Sequence, residues 1–258
     1  MIDPALVAAA EAAADVAGAV IRPFFRAGIG QELKADRTPV TIADRSAEHA
    51  MRAVLAERFP GHGIQGEEFG TDRAEAPLRW VLDPIDGTKA FITGRPEFGT
   101  LVALLDQGRP MLGVIDQPVT GERWIGVAGQ ATRFRGPLGG QAGCRACASL
   151  EEAEQSCTGP SLLGDDRPRW EGLASRVRRV SWGGDCYAYG LLALGQIDVI
   201  AESQMKVWDW AALVPVIEGA GGRVTDWDGR PLRVDGDGRV LAVGDPVLLG
   251  PAVAALEE

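Results

Sequence analysis

The sequence predicts an α+β protein in which helices pack on mixed antiparallel and parallel sheets. Three observations predict it: an alanine-rich amphipathic N-terminal stretch, three strand-like runs between Phe98 and Val127, and alternating strand and helix patterns from about residue 150. The 258 residues are 46% hydrophobic, enough for one large core or two subdomains. No internal repeat and no Pro- or Ser-rich linker divides the chain. Two approximate subdomains, 1–145 and 146–258, are therefore expected to share one core in a single domain spanning 1–258.

Taken in order, Asp3-Pro4 starts a helix that runs toward Gly28, with Pro23 kinking its last turns. Lys34 to Thr41 is a polar connection, and Asp44 or Ser46 caps a second helix that ends before Pro60-Gly61. Gly61 to Gly70 reads as a short strand emptying into a loop that holds Glu67 and Glu68. Trp80-Val81-Leu82 reads as a buried strand, Asp83 and Asp86 lie where it leaves the sheet, and Gly87-Thr88 open a helix. The runs Phe98 to Asp106, Met111 to Ile115 and Trp124 to Val127 suggest an antiparallel meander. Next come a strand near Leu162, a helix near Trp170, a strand near Val180, a helix from Asp185 to Leu194, a strand from Ile197 to Ala201 and a helix from Asp209 to Ala220.

Thirty-six acids against twenty-six bases give a net charge of −10, which disfavours nucleic acid as a partner, because that affinity comes from basic residues neutralising phosphates. The N-terminus lacks the basic start of a signal peptide, and no apolar run is expected to reach the length of a membrane span, so a cytoplasmic protein is expected. Cys144 and Cys147 form a single CxxC without a second pair, and only His49 and His62 are present. Structural cysteines are favoured over a zinc or redox site, and there is little room for a Ser-His-Asp triad.

The chemistry concentrates in Trp80 to Thr88, where Asp83 and Asp86 flank Pro84-Ile85 and precede Gly87-Thr88. Two carboxylates at a strand end invite a hard divalent cation, Mg²⁺ above all, and the start of the following helix offers backbone N–H groups to a phosphate. An acidic protein that handles phosphate must supply positive charge locally. Asp44, Glu67 and Asp209 add to the pair, although each taken singly reads as a helix cap or a solvated turn. Asp226-Trp227-Asp228-Gly229 superficially matches the nucleophile motif of haloacid-dehalogenase phosphatases, but a DG turn fits it better.

Read in the order Asp44, Glu67-Glu68, Asp83 to Thr88, Trp208-Asp209 and Gly221-Gly222, the chain resembles the inositol monophosphatase superfamily of Mg²⁺-dependent, often lithium-sensitive phosphomonoesterases. The resemblance spans nearly the whole chain. Residues 21–26 (IRPFFR), 83–105 (DPIDGTKAFITGRPEFGTLVALL) and 184–189 (GDCYAY) are most similar to the histidinol-phosphate phosphatases of that superfamily. Inositol phosphatases usually have Thr-Asn where this chain has Lys89-Ala90.

The resemblance implies a layered αβαβα sandwich, a homodimer, and hydrolysis of a small phosphate monoester, L-histidinol phosphate first. Inositol 1-phosphate or a broader range of esters is the alternative, and a non-catalytic phosphate-binding protein is the alternative of a different class. It further implies two or three Mg²⁺ ions, one held by Glu67, Asp83 and the carbonyl of Ile85, another by Asp83, Asp86 and Asp209. Glu67 and Thr88 would orient the attacking water, with Asp44 behind them as a partner or an outer ligand of a weaker third ion. The N–H groups of Gly87 and Thr88 would bind phosphate, and displacement would be in line with no phospho-enzyme. Glu202 occupies the family's substrate-reading position and, with Asp185, would pair with a cationic amine or imidazolium. Asp185 as a mere cap of its helix, and Tyr187 and Tyr189 as core residues, are the competing readings.

Overall fold

The computed structural model describes residues 2–27, 31–33 and 39–257. Two helices open the chain, α1 (Pro4–Ile21) and α2 (Ile42–Arg58), with the two-stranded ribbon β1 (Gln31–Leu33) and β2 (Pro39–Thr41) between them. The expected polar connection from Lys34 falls largely outside the described residues, and its end belongs to β2. Asp3 caps α1 as expected, accepting the Ala5 N–H at 2.9 Å, and Pro23 lies in a single 3₁₀ turn (Arg22–Phe24) that ends the helix. α2 is capped not by Asp44 or Ser46 but by Thr41; Asp44 sits in its first turn and closes a capping box.

A seven-stranded sheet follows, built from β3 (Gly63–Gly66), β4 (Gly70–Asp72), β5 (Leu78–Asp86), β6 (Gly99–Asp106), β7 (Arg109–Gln117), β8 (Glu122–Val127) and β9 (Arg133–Arg135), in the order β4-β3-β5-β6-β7-β8-β9. The short helix α3 (Thr88–Ile92) interrupts it after β5. A second sheet of order β11-β10-β12-β14-β13 contains β10 (Glu154–Cys157), β11 (Arg179–Trp182), β12 (Val199–Glu202), β13 (Arg223–Thr225) and β14 (Val240–Val243). Its helices are α4 (Arg167–Ala174), α5 (Asp185–Leu192), α6 (Val207–Trp210), α7 (Leu213–Gly219) and α8 (Leu249–Glu257).

The strands alternate between two cores, which is why they read as nearly unbroken apolar runs. Val102 and Leu104 of β6 face α1 and α2, whereas Leu101, Ala103 and Leu105 face α5 and α7. In the second sheet Val240 and Ala242 share that middle core, and Leu241 and Val243 face α4 and α8. The layers are α1–α2, the seven-stranded sheet, α5–α7, the five-stranded sheet, and α4 with α8: the αβαβα sandwich.

Three expectations are corrected. The strand near Leu162 is a 3₁₀ turn (Pro160–Leu162) capped by Gly159; the strand itself is β10, whose Gln155 and Ser156 are polar yet buried. The helix placed at Asp209–Ala220 is two pieces, with Asp209 inside the first. Finally, Pro4–Phe24 does reach the length and apolar composition of a membrane-crossing helix. Its alanines at 9, 10, 13, 14 and 17 are buried in the core shared with α2 and the sheet, a packing that requires the same composition.

Candidate active site

Residues three apart on a regular strand point to opposite faces, so Asp83 and Asp86 in an undistorted β5 could not converge. The chain solves this with Pro84. Asp83 pairs with Leu101 and Asp86 with Gly99, so β5 carries one residue more than β6 between those points and bulges. Pro84 suits the bulge because it has no N–H for the ladder, and its carbonyl accepts the Thr100 hydroxyl at 2.8 Å. The Ile85 N–H turns back onto Asp83 Oδ1 at 3.0 Å. Both acids therefore lie at the distorted end of β5, where the strand leaves the sheet, as the sequence suggested. Gly87, with φ of 96°, then breaks the chain into α3.

Asp209 arrives from α6, where its carboxylate accepts the Lys206 N–H at 2.6 Å. Carboxylate oxygens of Asp83, Asp86 and Asp209 all lie within 4.8 Å of one another. Burial first, and then the charges of Glu67, Asp86, Asp209 and Asp44, push the Asp83 carboxyl well above its ordinary range. Burial likewise raises Asp86, with Asp185 and Asp209 adding to it, and raises Asp209 to about 7. Asp44 is lifted to about 6 by burial, against the Thr41 hydroxyl and N–H it accepts at 2.6 and 2.7 Å. Five acids from four segments thus repel one another in a poorly solvated space, and these hard oxygen donors fit a divalent cation.

The crowding makes a prediction of definite sign. These carboxyls have higher pKa values folded than unfolded, so folding takes up protons. Without metal, the contribution of this cluster to stability is greatest below the ordinary aspartate value of 3.8 and is lost as pH rises toward about 7. Thermal midpoints in EDTA are expected to fall between pH 4.5 and 7.5, and millimolar Mg²⁺ to restore more at the higher pH; a flat profile in EDTA would contradict this account.

Beside the acids, the Thr88 hydroxyl donates to the Ile85 carbonyl at 3.1 Å. A cavity of about 140 Å³ joins Asp86 and Asp209 to Asp185, Tyr189, Glu202 and Met205, so the two expected substrate-reading acids do meet the cluster. Glu202 is buried and accepts the Thr158 N–H at 2.6 Å, and burial raises it to about 7. Asp185 does not cap α5. Gly184 holds that position, and Asp185 itself adopts φ of 41°, a left-handed conformation costly for a non-glycine residue and typical of strained functional sites. Cys186 N–H, next to it, donates to Asp86 at 2.6 Å and ties α5 to the end of β5. Neither that tether nor Thr41 and Thr100 carries a sequence signal beyond ordinary polarity. Tyr189 is buried and lines the cavity, while Tyr187 donates to Glu122 at 2.8 Å. The Asp226 segment forms a turn closed by the Gly229 N–H on the Asp226 carbonyl at 3.1 Å, as expected.

The layered fold thus places an acid-lined cavity between the end of β5, the start of α5 and α6, with a donor set that suits a hard divalent cation. Residues 2–258 match the model of the inositol monophosphatase family, and the chain belongs to that family, whose members are generally metal-dependent. It is 44% identical to the bifunctional phosphatase IMPL2 of Arabidopsis thaliana, across 97% of this chain and 74% of that protein. It is 42% identical to a histidinol-phosphatase of Mycobacterium tuberculosis, across 77% and 78% of the two chains. An inositol monophosphatase structure from Zymomonas mobilis superposes with a TM-score of 0.89 at 47% identity, covering 98% of this chain and 97% of that one.

Proposed function

We propose that this phosphatase hydrolyses L-histidinol phosphate with Mg²⁺, as a cytoplasmic homodimer. The observation that carries the substrate is the pair Asp185 and Glu202 on the wall of the cavity that contains Asp86 and Asp209. Histidinol is cationic at its amine, whereas inositol is neutral. Two carboxylates beside the leaving group favour the former by charge pairing and find no opposite charge on the latter. The name histidinol-phosphatase carried by several relatives supports the same reading. An inositol-1-monophosphatase of Mycolicibacterium smegmatis at 33% identity, and the bifunctional Arabidopsis relative, keep inositol 1-phosphate or a broader ester range as the second reading.

In this scheme Glu67, Asp83 and the Ile85 carbonyl hold one Mg²⁺, and Asp83, Asp86 and Asp209 hold another, with Asp44 an outer ligand for a weaker third. When bound, Mg²⁺ neutralises phosphate charge, lowers the pKa of a bound water and stabilises the leaving alkoxide. The protein's own groups place the reactants. The Thr88 hydroxyl spends its proton on Ile85 O, so its lone pairs face the attacking water as acceptors while Glu67 accepts that water's other proton. The N–H groups of Gly87 and Thr88, at the unpaired start of α3, receive phosphate oxygens.

Phosphate release from histidinol phosphate is expected to exceed that from inositol 1-phosphate roughly a hundredfold in kcat/KM, about 2.7 kcal/mol. A preference for inositol 1-phosphate overturns the substrate, and no release from any ester in millimolar Mg²⁺ favours a non-catalytic phosphate-binding protein. Glu202→Gln is expected to raise KM for histidinol phosphate roughly tenfold while leaving turnover of a neutral ester nearly unchanged. A scattering mass twice that of the chain checks the dimer.

A further inference from the structure

Glu48 is an acid in the middle of α2 that no part of the scheme above uses, and it is fully buried. Buried glutamates are rare unless paired, so its partners matter. Its Oε2 accepts the Glu68 N–H at 2.7 Å, and its Oε1 accepts the Phe69 N–H at 3.3 Å and Arg52 Nε at 2.7 Å. Arg52, one turn further along α2, also reaches Asp72 at 2.9 Å and the Gly70 carbonyl, so it grips the same β3–β4 hairpin. The Glu67 N–H is held on the other side by the Leu82 carbonyl of β5 at 3.3 Å. All three amides of the segment Glu67–Phe69 are thereby fixed, one by the strand bearing Asp83 and two by Glu48.

Gly66 shows how closely the carboxylate must approach. A Cβ at that position would lie 2.0 Å from Glu48 Oε1, so the acid fits only because the residue before Glu67 has no side chain. Asp44 lies one turn before Glu48 on the same buried face of α2. A single helix thus contributes one acid to the cation cluster and uses the next to clamp the turn that contributes another.

We propose that Glu48 is the positioning residue for Glu67: its carboxylate, neutralised and braced by Arg52, pins the turn so that Glu67 is preset over Asp83. This rests on the reading of Glu67 as a cation ligand. Loss of such outer partners typically weakens metal binding by 10- to 100-fold.

The test is a cycle of Glu48→Gln, Glu67→Gln and the double variant in the full chain, titrated with Mn²⁺ and read by the EPR signal of the unbound ion. A carboxamide offers only one acceptor oxygen, so Glu48→Gln is expected to weaken Mn²⁺ binding roughly tenfold. In the Glu67→Gln background it is expected to add less than about twofold, because its effect runs through Glu67. Thermal midpoints in EDTA report folding independently, and Arg52→Gln, which frees the clamp without touching the acid, repeats the cycle should Glu48→Gln fail to fold. Wild-type binding in Glu48→Gln, or an equal loss in both backgrounds, overturns the role of Glu48 alone. Wild-type binding in Glu67→Gln overturns the ligand reading and this inference together.

Discussion

Asp83→Asn is expected to lower kcat/KM roughly a thousandfold or more on every ester the protein accepts, about 4 kcal/mol of transition-state stabilisation, while raising the thermal midpoint of the metal-free protein. The two effects share one cause. Asp83 is 2% exposed and lies among Glu67, Asp86, Asp209 and Asp44, so its charge is costly in the absence of a cation and indispensable in its presence. Asparagine keeps the shape and the oxygen that accepts the Ile85 N–H at 3.0 Å, and so leaves the bulge intact while removing the charge. A variant that merely misfolded would lose activity and stability together. The stability gain should be clear at pH 7.5 and shrink toward pH 5, where the native carboxyl is itself increasingly protonated. Steady-state kinetics in saturating Mg²⁺ and thermal melts in EDTA measure the two halves. Activity within tenfold of wild type contradicts the metal scheme, and a lowered midpoint contradicts the electrostatic account.

The parts of this site that were legible in the sequence are those whose chemistry is local. Asp83, Asp86, Gly87 and Thr88 are near neighbours in one run, so their association needed no tertiary knowledge. That Asp83 and Asp86 share a side depends instead on a bulge, and only the register against β6 reveals it. Asp44 and Asp209 were legible as acids near helix starts, but the capping positions belong to Thr41 and Lys206, because each aspartate reaches back from the first turn. Glu48 was invisible for the opposite reason: an acid inside a helix ordinarily faces water, and nothing in its neighbours signals that Glu68 and Phe69 fold onto it. β10 was hidden by Gln155 and Ser156, polar residues that the sandwich nevertheless buries.

Gly126→Ala is expected to destabilise the fold by about 3 kcal/mol and to lower the thermal midpoint by roughly 6–12 °C, through a contact that looks like weakness in the sequence. Glycine inside a strand ordinarily costs stability, and Gly113 and Gly126 interrupt β7 and β8. They are direct cross-strand partners, and together they make a flat patch on the middle core. The backbone of the link between α6 and α7 and of the first turn of α7 lies on that patch: a Cβ at Gly113 would meet the Ala212 carbonyl oxygen at 2.0 Å, and one at Gly126 would meet Pro215 and Val216 backbone atoms at 2.3 Å. Backbone cannot rotate away as a side chain can, so the added methyl must push the helix pair off the sheet. Because α6 bears Asp209, the same displacement should weaken Mn²⁺ binding as well as stability. Gly61→Ala, where the new methyl meets nothing within 4 Å, is the control and should change stability by less than about 0.5 kcal/mol. Equal midpoints for the two variants would mean that the α6–α7 segment is not seated on β7 and β8 in solution, and the placement of Asp209 would then need another support.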